Sequence, residues 1–146
     1  MKLLQFKDYV VSPNASMVMD QGVFIGTKNY FFFLPSKKES YSFNKVTTSE
    51  FSFKGKNIQE ASLEIISNAD SADHLDQTIL SMSENFPEIV FYKINDLSAF
   101  KLFAGFFGSG ISVRLEGKKL WTPFVQKLGK DKKAIKQFYS QHSKIK

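Results

Sequence analysis

Met17-Val18-Met19-Asp20-Gln21-Gly22-Val23-Phe24-Ile25-Gly26, then Thr27-Lys28-Asn29, then Tyr30-Phe31-Phe32-Phe33-Leu34, is the stretch on which the fold turns. Two apolar runs separated by a short polar turn read as a β-hairpin. The second run is continuous, so its rings alternate between the two faces of a strand and at least half must enter a core. Working outward, Tyr41-Ser42-Phe43 and Phe51-Ser52-Phe53 alternate with period two, the pattern of strands with one wet face. Residues 1–56 therefore read as a β-rich zone.

The period changes after residue 56. Asn57 followed by Glu60 has capping-box spacing, although Ala61, Leu63 and Ile65 also suit a strand. The next element is unambiguous. Ser71 caps a helix whose first turn carries Asp73 and Asp76, Leu75, Ile79, Met82 and Phe86 form one apolar stripe, and Pro87 stops it. Strands then return at Ile89-Val90-Phe91-Tyr92-Lys93-Ile94, Ile111-Ser112-Val113-Arg114-Leu115 and Leu120-Trp121-Thr122-Pro123-Phe124-Val125. The last two flank Glu116-Gly117-Lys118-Lys119, a hairpin turn with a glycine available for positive φ. After Gly129 a final helix capped by Asp131 is expected, with Ile135, Phe138, Tyr139 and His142 on one face. The order predicts an α+β domain: a bent antiparallel sheet, a central acidic helical segment and a C-terminal amphipathic helix.

Composition bounds the function. The chain has 146 residues, 42% hydrophobic and 23% charged, with 16 Phe, 5 Tyr and 1 Trp. This is the profile of a single globular domain spanning residues 1–146. The absence of cysteine removes disulfides, thiolate nucleophiles and zinc–thiolate sites. Near the N-terminus, Lys7 and Asp8 interrupt the apolar stretch before a signal-peptide core can form, and no run approaches the roughly 20 apolar residues of a membrane-spanning helix. The expectation is a soluble, cytoplasmic protein.

The net charge is +6, but it is unevenly distributed. Residues 57–96 carry eight acids against Lys93, whereas residues 118–146 carry nine lysines against Asp131. Lys130, Lys132, Lys133 and Lys136 are the candidates for an anionic partner, either phospholipid headgroups or nucleic acid. The competing reading is a solvated helix face with the acidic middle as its internal counterweight. Of 20 basic residues only Arg114 is arginine, which argues against a base-reading or bidentate phosphate clamp.

Chemical motifs are sparse. His74 has Asp70, Asp73 and Asp76 nearby, the material for a hydrolase or metal-dependent enzyme, but acids at a helix N-terminus also serve the helix dipole. Gly105-Phe106-Phe107-Gly108-Ser109-Gly110 is the densest glycine cluster, yet a strand follows it rather than a helix, so it is no phosphate loop. Ser109 is not in a Gly-x-Ser-x-Gly elbow. Phe103, Phe106 and Phe107 around these glycines are candidates for insertion into a membrane interface or a partner's groove, against core packing as the alternative. Lysines interleaved with aromatics also raise single-strand nucleic-acid binding, but the RNA-recognition signature is missing. No residue is assigned to catalysis, a metal or a cofactor.

Residues 89–142 run strand, glycine-rich turn, strand, tight hairpin at Gly117, strand, then one amphipathic helix. This resembles the last part of a pleckstrin-homology-like domain, in which a bent antiparallel sheet is plugged by a C-terminal helix. Residues 17–34 would supply early strands of that sheet. The helical segment at 57–86 departs from the pattern as a large insertion. So does Trp121, on a strand where that superfamily often places a tryptophan in the closing helix. The resemblance implies a non-catalytic adaptor for a phosphoinositide, a peptide or another subunit, with no headgroup motif to carry over. A non-catalytic binding or protein-interaction module, self-association included, is the leading expectation. An anionic-surface binder is the alternative, and an enzyme centred on His74 the weaker one.

Overall fold

The computed structural model describes residues 8–17, 19–105 and 108–146, so the N-terminal seven residues, Phe106 and Phe107 lie outside the described residues. The architecture is α+β, with ten strands and three helices among them. β1 (Tyr9–Ser16), β2 (Asp20–Thr27), β3 (Tyr30–Ser42) and β4 (Lys45–Glu50) form an antiparallel meander. A small hairpin of β5 (Ser52–Phe53) and β6 (Lys56–Asn57) leads into α1 (Ile58–Asn68) and α2 (Ala72–Asn85). β7 (Val90–Lys93) returns to pair with the first residues of β3. β8 (Leu97–Ala104), β9 (Ser109–Leu115) and β10 (Thr122–Val125) make a second antiparallel sheet, and α3 (Lys132–Tyr139) closes the chain.

The expected hairpin is the centre of the molecule. Phe24 faces Phe33 and Ile25 faces Phe32 across β2 and β3, while Phe32 faces Phe91 on the opposite side. Phe31, Phe32, Phe33 and Leu34 are all fully buried, more than the alternation required. Two layers account for this. On one face Phe24, Phe31 and Phe33 pack against Phe100, Ile111, Val113 and Phe124 of the second sheet and Ile135 and Tyr139 of α3. On the other, Val23, Ile25, Phe32 and Leu34 pack against Ile58 and Ile66 of α1 and Leu75, Ile79 and Met82 of α2. Phe31 meets Phe100 edge-on at 5.1 Å and Tyr139 at 5.2 Å, the T-shaped geometry that ring quadrupoles favour.

The helices start as their sequences direct. Asn57 Oδ1 accepts the Glu60 N–H at 2.8 Å, and Ser71 Oγ accepts the His74 N–H at 3.0 Å. Asp131 precedes α3 without a side-chain cap; a single 3-10 turn at Gly129–Asp131 delivers the chain instead. Other boundaries also differ from expectation. The last strand begins at Thr122, leaving Leu120 exposed, and Phe43 lies in a turn rather than a strand. The two sheets are stitched by Ser16, which donates to Lys127 O and accepts from Gln126 N, and by Ser12 Oγ donating to Leu128 O at 2.6 Å. Among the described residues no helix is long and apolar enough to cross a membrane.

A buried polar node joins the layers at the β2–β3 turn. Thr27 Oγ1 donates to Asp76 Oδ1 at 2.7 Å and accepts the backbone N–H groups of Asn29 and Tyr30. Asn29 Nδ2 donates to Asp76 Oδ2, and Tyr139 donates its hydroxyl to Thr27 O at 2.7 Å. Asp76 is 2% exposed. Burial raises its pKa above the ordinary aspartate value; Thr27 and Asn29 oppose the shift, Asp73 adds to it and Lys28 counters it. Burial, with the Asp76 charge, also pushes the Tyr139 phenol well up.

Two outcomes follow from this packing. Phe31→Ala removes the ring at which both edge contacts meet, and its midpoint in chemical denaturation should report a loss of about 3–5 kcal/mol. For Asp76 the folded pKa exceeds the unfolded one, so between the two the native state holds more protons and stability falls as pH rises. The stability difference between wild type and Asp76→Asn should therefore shift against wild type on raising pH from below 3.8 through the raised folded value, as read by urea melts at each pH.

Candidate binding surface

The helical layer and the C-terminal layer lie on opposite faces of β2 and β3, so the charge segregation of the sequence becomes a front and a back. Two acids of the helical segment find local partners: Glu64 of α1 pairs with Lys56, and Asp70, between the helices, with His74 at 3.1 Å. Two of the C-terminal lysines bond backbone carbonyls rather than these acids. Lys132 donates to Gly105 O at 2.7 Å, and Lys144 donates to Asn95 O and Leu97 O. Lys132, Lys133 and Lys136 fall within one arc of about 100° around α3, and Lys130 sits in the turn just before it. Lys130, Lys133 and Lys136 are exposed.

The Lys132 bond brings two separate sequence candidates together. Gly105 begins the β8–β9 turn, closed by Gly105 N–H donating to Gly108 O at 2.8 Å, and the lysine ammonium reaches that turn from the start of α3. Phe103 belongs to β8 rather than to the loop and is 48% exposed. Its ring covers Gly110, where a Cβ would meet Phe103 Cζ at 2.8 Å. Phe100, by contrast, is core. Beside Phe103 on the same sheet, Lys101 Nζ lies 4.1 Å from the Trp121 ring centroid and the Arg114 guanidinium 5.1 Å from it. These cation–π contacts hold the single tryptophan against Lys101 and the single arginine on the second sheet.

The His74 constellation does not converge. Asp73 turns to Asn29 Nδ2 at 3.1 Å, and Asp76 is consumed by the buried node. Among the described residues no three His, Asp or Glu side chains are grouped to hold a metal ion. His74 instead borders an open groove of about 780 Å³ between α1, α2 and the β5–β6 hairpin, with Ala61, Ile65 and Met82 below and Gln77 and Asn85 at the rim.

Of the β3–β4 hairpin the sequence indicated only the strand at Tyr41 and Ser42. Beyond Leu34, β3 continues with β4 as an exposed arm, from Lys37 paired with Glu50 to Ser42 paired with Lys45. Its turn residues, Phe43 and Asn44, have φ of 47° and 64°, the two positive values of a tight I′ hairpin. Asparagine suits that conformation. Phenylalanine does not, at a cost of about 1–2 kcal/mol. Phe43 is nevertheless 99% exposed, and the cross-strand pair Tyr41 and Val46 beneath it is 63% and 59% exposed. No family model, no curated protein and no solved structure matches this chain.

Proposed function

We propose that this chain is a non-catalytic binding module that meets an anionic surface through Lys130, Lys132, Lys133 and Lys136. One observation carries the reading: the acidic helices and the lysine-rich segment occupy opposite sides of the central sheet, so the lysine field is not cancelled from within. The non-catalytic part is supported by the destinations of the titratable groups. Asp76 serves the Thr27 node and His74 serves Asp70 at the surface, so neither is aimed at a shared reacting position. A pleckstrin-homology-like architecture is also proposed. Its support is a four-stranded meander facing a three-stranded one, with a helix after the last strand and α1–α2 as an insertion before β7. We place the module in the cytoplasm, on its cysteine-free sequence.

The test is retention on vesicles containing phosphatidylserine and, separately, on single-stranded oligonucleotides, across a salt series. Binding should fall steeply with ionic strength. A lysine near an anionic surface contributes about 1 kcal/mol, so changing all four to Gln should weaken low-salt binding on the order of 10²- to 10³-fold. Unchanged low-salt binding by the four-fold variant would overturn the proposal.

A further inference from the structure

We infer that the β3–β4 arm is a membrane-insertion device: Phe43, with Tyr41 and Val46 behind it, enters the interfacial region of an anionic lipid bilayer. The inference rests on the anionic-surface reading and names the surface. Its first support is the tip itself. A solvated phenylalanine in a left-handed conformation stabilises nothing in the free protein, since it is strained and touches almost nothing. Only burial elsewhere gives the ring a role. Tyr41 and Val46 face each other across the arm, so the apolar surface continues on one side below the tip.

The second support is how charge is placed along the arm. Lys45 closes the turn opposite Ser42, within one residue row of the tip. The first carboxylate, Glu39, is three rows below, about 10 Å at the rise of an extended strand. That spacing fits insertion of about 5–10 Å into the headgroup boundary. Phe43 enters, Tyr41 and Val46 lie at the interface, Lys45 reaches the phosphates with its stem in the apolar zone, and Glu39 stays in water. Glu39 accepts the Tyr41 hydroxyl at 3.1 Å, and this bond, with the Glu39 charge, raises the phenol pKa above its ordinary value. At the arm's root, away from the tip, Lys37 and Lys127 border a shallow cleft together with Asp20 and Glu39, so charge is balanced there and the cation beside the tip is Lys45. A convex apolar point with one lysine beside it and the first carboxylate further down the arm matches a lipid surface better than a pocket in a protein.

The experiment places a reporter at the tip: Phe43→Trp in a Trp121→Phe background, titrated with vesicles of phosphatidylcholine and phosphatidylserine, and of phosphatidylcholine alone. A blue shift and quenching by brominated acyl chains with the anionic vesicles are expected. The companion variant, Phe43→Asn, suits the turn and removes the ring. It should raise the denaturation midpoint while lowering vesicle partitioning on the order of tenfold to a hundredfold. If the protein sediments with anionic vesicles but the tip emission does not move, insertion is overturned and the lysine reading stands. A protein that ignores vesicles yet is retained on oligonucleotides through the four lysines also overturns it. A shifted emission that survives the four-fold lysine change supports insertion and removes the lysine reading instead.

Discussion

A strand that carries Phe31, Phe32, Phe33 and Leu34 in succession has no side to show to water, and the rest of the molecule answers that constraint. Alternation sends Phe31 and Phe33 one way and Phe32 and Leu34 the other, so a single layer would leave two large side chains exposed. The chain supplies two coverings: the α1–α2 pair, and the second sheet with α3. Both edges of the same segment are occupied as well, β2 on one side and β7 on the other, which satisfies the backbone groups that the buried rings shut away from solvent. The glycine at position 26 belongs to the same solution, because a side chain there would collide with the Tyr139 hydroxyl as it reaches Thr27.

Two coverings on two faces have an electrostatic consequence. The acidic helices are directed to one side and the lysine-rich segment to the other, and the central sheet keeps them apart. At the β2–β3 turn the layers are tied by hydrogen bonds that end on Thr27, and there a deeply buried acid, Asp76, is satisfied by neutral donors rather than by a lysine. The lysines that do bond inward, Lys132 and Lys144, use backbone carbonyls. The polarity of the molecule is thus a product of its packing, and a one-sided basic surface is what an anionic plane would meet.

Where the coverings end, the character of β3 changes. Past Pro35 its residues are mostly serine, lysine and glutamate; β2 still pairs with it as far as Lys38, and from Glu39 to the turn its strand partner is β4. An arm of two strands with no core beneath it draws its stability from the meander it extends, and it places its least soluble residue at the point furthest from that support. The other non-glycine residues held at positive φ, Asn44 and Lys54, are polar and exposed. At Phe43 the local preference is overridden with no packing to compensate, which is why the tip stands out from the fold around it.

The sequence alone determined the elements whose signal is local. The Phe-rich hairpin, the Ser71-capped helix ending before Pro87 and the Gly117 turn rest on alternation, capping and glycine chemistry, which act within a few residues. It also showed that charge was segregated by segment. The arm was not legible as a hairpin, because its turn is Phe-Asn without a glycine and its β4 strand, Lys-Val-Thr-Thr-Ser-Glu, has no wet and dry face to alternate between. Nor was the meeting of Lys132 with the Gly105 turn, the scattering of Asp73 and Asp76 away from His74, or the placement of Phe103 on an open strand face. These depend on contacts between residues 27 to 49 positions apart, made when one chain closes two layers over a strand that cannot be left half-covered. Periodicity tells which side of an element is apolar; only the tertiary structure decides which other element covers it.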